Sequence, residues 1–325
     1  MSTVLLVGVG AVGTRAARQL VDTPSVERLL LADTDEDRVR EVAEALGDKA
    51  ELAKFEPGDS IPTGVEVVAC AAPTGVDHAV IAASIAGGVP CATADDDHDA
   101  IEAARSLQPN ARAADVAVVT GCGLAPGLSD VLARHAASMF DGLDEIRVAR
   151  TGWAGPSSVA AVRHARRASV RAWRDGTWRE EHPHGETLVW FPEPIGARDC
   201  RPVTGAAAVL VDDFPGVPRV SVLLGEPPRR TFLRRQFGDD GQWGAARVEI
   251  WGRRDGVSEC VVYGVVERTA VAAGAVLAVA TIRLAAGEGP SGVHGLGAFQ
   301  DARGILADLA SRGVKAAIFE GVAVG

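Results

Sequence analysis

Lysine is nearly absent from this chain: Lys49, Lys54 and Lys315 are all there is, and none falls inside a motif. A Schiff base between an enzyme lysine and a carbonyl substrate is therefore not expected. Cysteine is sparse too. Cys70, Cys91, Cys122, Cys200 and Cys260 form an odd, widely spaced set without a CxxC pair, which argues against a disulfide framework or a zinc knuckle. The first three sit at or just past apolar runs, where small buried thiols are the expectation. His182-Pro183-His184 offers two metal ligands with no third in view, so no metal is expected. No apolar run reaches the ~18 residues needed to cross a bilayer, and no basic leader precedes the first strand, so a cytoplasmic protein without a membrane partner is expected. Positive charge is in deficit. The 33 basic against 43 acidic side chains leave a net charge of −10, which excludes a general nucleic-acid binder, since that affinity rests on cations neutralising phosphates.

What the chain does have is alternation. With 325 residues and 47% hydrophobic composition it is long enough for two domains. Continuous apolar runs at 3–7, 28–32, 65–71, 89–93 and 116–120 alternate with helical patterns at 11–21, 36–46, 76–86 and 97–107. Runs of this kind suit a parallel sheet covered on both faces, so an α/β, doubly wound Rossmann domain is expected over 1–140. After Asp141 the texture changes to shorter strands near 145–151, 187–191, 219–224, 247–251 and 258–268, separated by Pro- and Gly-rich turns and by one helix at 157–171. All six Trp residues fall between Trp153 and Trp251. An inserted α+β, mainly antiparallel substrate and dimerisation domain is expected over 141–268. A helix at 269–285, a glycine-rich loop at 287–297 and a helix at 299–311 then form a C-terminal segment, 269–325, returning to the first domain.

Gly8-Val9-Gly10-Ala11-Val12-Gly13 matches GxGxxG between a strand and a helix, with Asp33 ending the second strand 20 residues beyond Gly13. The glycines let a pyrophosphate reach backbone amides at a helix start, and the acid suits adenosine ribose hydroxyls. Gly8, Gly10, Ala11, Val12, Gly13, Asp33 and Thr34 are thus the expected adenylate contacts. The acidic run Asp33-Thr34-Asp35-Glu36-Asp37 disfavours a 2′-phosphate, so NAD is preferred, with NADP the alternative while Arg38 and Arg40 stand close by. Ala72-Pro73 ends a central strand at the carboxyl edge, where small residues let a dinucleotide pass or simply turn the chain.

Cys122-Gly123-Leu124-Ala125-Pro126-Gly127, after a strand and opening a helix, carries Gly-Leu-x-Pro-Gly. Together with the N-terminal fingerprint, the strand and loop at 89–96 and Gly292-Val293 before the last helix, it resembles the saccharopine dehydrogenase/reductase-like family, which includes lysine 6-dehydrogenases and carboxynorspermidine dehydrogenases. The likeness covers 1–140 and 270–325. It implies a Rossmann domain interrupted by a substrate domain, and hydride transfer at a carbon bonded to nitrogen in an amino-acid-like substrate. It also implies that Thr93, the loop to Asp96, Gly123 and Pro126 border nicotinamide and substrate. The fungal-type reductases carry an Asp inside this turn and an acid before it, where this chain has Ala125 and Gly121, so the resemblance points away from saccharopine itself.

Amine oxidation needs a base, and imine reduction a proton donor. Asp95 and Asp96 lie beyond a sheet strand and are the leading pair, although one member of Asp95-Asp96-Asp97 is equally suited to cap the next helix. His98 and His164 are further candidates, the second more so. Arg163 and Arg198 suit a substrate carboxylate through two parallel bonds, and Trp153 suits a cleft wall or a core position. The crowd Arg163, Arg166, Arg167, Arg171 and Arg174 reads as a solvated helix face or the edge of a carboxylate site. An oxidoreductase acting on a C–N bond, cytoplasmic and homodimeric, is the leading expectation. A homospermidine synthase-like enzyme that uses NAD transiently without net redox change, and a non-catalytic NAD(H) sensor, are the alternatives.

Overall fold

The computed structural model describes residues 2–181, 185–225 and 242–318. His182-Pro183-His184 lies outside the described residues. Strands β1 (Ser2–Val7), β2 (Val26–Ala32), β3 (Ala50–Leu52), β4 (Val67–Cys70), β5 (Cys91–Thr93) and β6 (Ala117–Val119) alternate with helices α1 (Ala11–Val21), α2 (Glu36–Leu46), α3 (Asp77–Ala86), α4 (His98–Ser106) and α5 (Gln108–Ala113). Helix α6 (Leu128–Ala137) then leads out of this layer. The second layer contains β7 (Gly142–Thr151), α7 (Pro156–Ala165), β8 (Val170–Arg174), β9 (Thr177–Glu181), β10 (Thr187–Trp190), β11 (Ala197–Val203), α8 (Ala207–Asp213), β12 (Val220–Gly225), β13 (Trp243–Arg254) and β14 (Val257–Arg268). Helix α9 (Thr269–Ala285), β15 (Gly292–His294), α10 (Ala302–Ser311) and β16 (Ala316–Ile318) follow.

The first sheet is parallel, in the order β15-β6-β5-β4-β1-β2-β3. Its central strands are apolar on both sides: Leu5 and Leu6 are successive residues of β1, and both are fully buried. Helix α9 closes one face against α1, where Gly274 makes the approach feasible, since a Cβ there would sit 2.4 Å from the Arg15 Cβ. The strand order reverses at β1, which has β2 on one side and β4 on the other, and ligands of open α/β sheets bind at the carboxyl edge of such a switch point. The doubly wound reading of the first half is therefore correct.

The second sheet runs β10-β11-β12-β7-β13-β14-β16, with β8 and β9 attached through β12. It is antiparallel apart from the β12–β7 pair, so it is mixed. Two expectations need correcting here. The stretch 157–171 is not one helix: α7 ends at Ala165, and Val170 begins a strand. Asp175-Gly176, both at positive φ (51° and 74°), make the two-residue turn that joins β8 to β9, and a hairpin turn of this kind outweighs helical spacing upstream. Arg171 and Arg174 therefore stand on a strand, away from Arg163. The glycine-rich loop at 287–297 contains β15, the seventh strand of the parallel sheet, hidden in the sequence because glycines flank a three-residue run.

Candidate functional site

A cavity of about 580 Å³ lies at the switch point, between the carboxyl edge of the parallel sheet and the start of α7. The glycine turn forms its floor. Gly8 has φ +92°, and a Cβ there would meet the Ala71 backbone at 2.7 Å; a Cβ at Gly13 would lie 1.8 Å from the Gly8 carbonyl oxygen. These two glycines are demanded by packing. Gly10 differs: its φ is −72°, and no protein atom lies within 4 Å of a Cβ placed there. It caps α1, whose first amides, at Ala11 and Val12, border the cavity. A turn that is bare where the fold does not require it is what close approach of a phosphate calls for.

Asp33 stands at the side of this floor. Its Oδ2 accepts the Val9 N–H at 2.8 Å and its Oδ1 the Asp35 N–H at 3.2 Å, so the turn is tied to the end of β2. Thr34, Ala72 and Pro73 also line the cavity on this side, and Gly123 lines it on the far side of the glycine turn. Arg38 also reaches the cavity, but it pairs with Asp35 at 3.1 Å, and Arg40 is taken by Asp37 at 2.6 Å on the outer face of α2.

At the inner end the three successive acids have three different environments. Asp97 is the helix cap, accepting the Asp99 and Ala100 N–H groups at α4. Its other oxygen holds His164 Nδ1 at 2.9 Å. Asp95 and Asp96 are left to line the cavity. Asp95 Oδ1 accepts the Asp97 N–H at 2.9 Å, with Thr74 Oγ1 at 3.4 Å, while Oδ2 is buried without a partner. Burial pushes this carboxyl up to about 7; the charges of Asp77, Asp96 and Asp97 act in the same direction, against the single N–H donor. Asp77, at the first turn of α3 and 2% exposed, is also raised by burial. Asp96 Oδ2 pairs with Arg150 Nη1 at 2.5 Å.

The structure does not bring every sequence candidate to the cavity. His164 is half exposed on α7 and clasped by Asp97 and Asp99, which raises its pKa through the Asp97 hydrogen bond and charge. Arg163 is exposed on α7, which instead presents its opening residues Pro156, Ser157 and Ser158 to the cavity. Arg198 lies on β11 and donates to the Ala197 carbonyl. Trp153 is outside the lining although its neighbours Gly152 and Ala154 are in it; it follows Gly152, whose φ of +93° turns the chain just past the end of β7. Pro126 is covered by Gly121, where a Cβ would meet the Pro126 Cγ at 2.7 Å, and Thr93 is buried against Thr120 with their hydroxyls 3.3 Å apart. Arg150 was missed. It belongs to a half-buried strand with no motif around it, and the partner that gives it meaning is 54 residues away.

No family model matches the chain. Among solved structures it is similar to saccharopine dehydrogenase (L-Glu forming) from Saccharomyces cerevisiae, at a TM-score of 0.72 and 16% identity over 98% of this chain and 100% of the other. It is also similar to GenD2 from gentamicin A biosynthesis, solved in complex with NAD, at 0.52 and 14% over 98% and 97%. A myo-inositol dehydrogenase from Corynebacterium glutamicum gives 0.52 and 13% over 99% and 100%. These likenesses establish the fold: a Rossmann layer joined to a mixed second sheet, the architecture of saccharopine dehydrogenase, as the sequence resemblance implied.

Proposed function

We propose that the chain is a nicotinamide-dependent oxidoreductase that uses NAD in preference to NADP and acts on a C–N bond of an amino-acid-like substrate. The observation that carries this reading is a single cavity bounded at one end by the bare Gly10 turn and Asp33, and at the other by the buried carboxyl of Asp95. The donor set fits the cofactor: free amides at the α1 start for a diphosphate, Asp33 Oδ1 for ribose hydroxyls, and the small Ala72 and Gly123 for a flat ring. Bound there, the nicotinamide supplies the hydride acceptor or donor.

The protein's own part is the proton. In the reducing direction Asp95, neutral below about pH 7, gives its proton to the substrate nitrogen; in the oxidising direction the ionised carboxylate removes one. A group poised at neutral pH serves both directions because each protonation state is well populated. The walls contributed by α7 and the Gly152–Gly155 segment narrow the access of water. The same buried acid favours an enzyme over a sensor that has lost catalysis, despite Gly121 and Ala125 standing where the fungal-type reductases carry acids. Transient use of NAD without net redox change differs only in the fate of the hydride.

Calorimetry with NAD and NADP, followed by a screen of amines and amine-plus-oxoacid pairs at the nicotinamide absorbance, tests the proposal. Binding of NAD and net change in absorbance are expected. If neither dinucleotide binds, the function is wrong; if NAD binds and turnover leaves the absorbance unchanged, the transient reading replaces the net one. Trp190, Trp243 and Trp251, 58%, 48% and 43% exposed on the second sheet, support a homodimer, which light scattering on the purified chain tests.

A further inference from the structure

Arg150 is the penultimate residue of β7, and its side chain, 12% exposed, lines the cavity beside Asp95 and Asp96. A guanidinium presents two edges to carboxylates in its plane. Nη1 is spent on Asp96 at 2.5 Å, and no other acceptor among the described residues takes Nε or Nη2. The only other cation among the described lining residues is Arg38, which is on the Asp33–Asp35 side and already paired with Asp35. Among the described lining residues Arg150 is thus the one positive group at the end of the cavity where the chemistry is placed, anchored at Nη1 by Asp96 and with an edge to spare.

We propose that this second edge of Arg150 binds a carboxylate of the substrate, so that the site selects carboxylate-bearing amines and their imines over simple amines and alcohols. The inference rests on the proposed function for the identity of the cavity. The chemistry is consistent across the site. A carboxylate entering next to Asp96 adds negative charge near Asp95 and so favours its protonated form, which an imine being reduced requires. Arg163 and Arg198, the arginines that the sequence offers for this task, are too far out of the cavity lining to share it.

Glutarate and its uncharged analogue glutaramide are the probes, followed by ligand-detected NMR on the full chain with and without NAD. The wild-type chain is expected to bind glutarate at least about tenfold more tightly than glutaramide, the gap that one charge-assisted bond supplies. Arg150→Lys keeps a cation opposite Asp96 but has no second edge, so it is expected to lose that preference while its melting temperature and NAD affinity stay unchanged. Arg150→Gln is expected to lose the preference as well. Equal binding of the two probes by the wild type, or an undiminished preference in Arg150→Lys, overturns the inference. Failure of NAD to bind while the Arg150-dependent preference persists counts against the proposed function and not against the anion contact.

Discussion

Replacing Gly10 by alanine separates what the fold requires from what a ligand requires. A Cβ at this position meets no protein atom within 4 Å, and φ of −72° with ψ of −159° is open to alanine. The cost to folding is the weaker helix cap, about 1 kcal/mol at most, partly offset by the smaller conformational freedom of alanine in the unfolded chain. A melting temperature within about 4 °C of wild type is expected. Gly13→Ala is the contrast. Its Cβ would lie 1.8 Å from the Gly8 carbonyl oxygen, which forces the backbone apart and costs roughly 1–3 kcal/mol or more. For NAD the ranking changes. The methyl group introduced by Gly10→Ala would occupy the space that, on the proposed function, a diphosphate needs in order to reach the Ala11 and Val12 amides. Each charge-assisted bond lost is worth ~1.5–3 kcal/mol, so affinity falls about tenfold for one and a hundredfold or more for two. Differential scanning fluorimetry and calorimetry on both variants decide the matter. If Gly10→Ala melts as early as Gly13→Ala, or keeps NAD affinity within about threefold of wild type, the assignment of this turn to a ligand is wrong.

Asp95→Asn removes the proton donor and acceptor and is expected to slow turnover by ~10²–10⁴-fold with NAD affinity unchanged, as measured by steady-state kinetics beside calorimetry. In the wild type, imine reduction should decline and amine oxidation should rise as pH passes about 7, because the carboxyl titrates there; a rate flat from pH 5 to 9 in both directions removes Asp95 from the reaction. Asp33→Ser should weaken NAD more than NADP, narrowing the preference measured by calorimetry, and should also cost about 1 kcal/mol of stability through the lost Val9 N–H bond. Asp130, 1% exposed at the start of α6, has its carboxyl raised to about 7 by burial, with the charge of Asp213 adding to the effect. The ordinary unfolded value is about 3.9, so the stability tied to its bound proton is full below that pH and is lost as pH climbs through about 7. Asp130→Asn should flatten the fall in melting temperature between pH 4 and 8, and an unchanged slope would show that another group titrates.

How much was legible in the sequence depended on how local the cause was. The turn from Gly8 to Gly13, the two strands around it and Asp33 follow from contacts within 35 residues, and the structure has them as read. Helix α9 was read to the residue, since it is an unbroken 17-residue Ala-rich run flanked by a strand and a glycine loop. Strand β15 was not, because three residues between glycines carry no period, and only the exposed edge of β6 makes them a strand. The division of labour among Asp95, Asp96 and Asp97 was open in the sequence. It is decided by which backbone amides of α4 point at which carboxylate, and then by His164 and Arg150 arriving from the second layer. Arg163 and Arg198 illustrate the converse: residue type alone suggested a role there, and in the structure neither residue lines the cavity.

In the proposed function Asp33 does two jobs with one side chain, and that bears on how a cofactor preference could change over time. The oxygen that fastens Val9 belongs to the same carboxylate that would repel an extra phosphate on the sugar. A single substitution that welcomes the bulkier dinucleotide therefore also slackens the loop beneath the diphosphate, harming the very ligand it admits. On the proposed function, a second acceptor for the Val9 N–H would keep the loop braced through such a change, so the two substitutions work best as a pair.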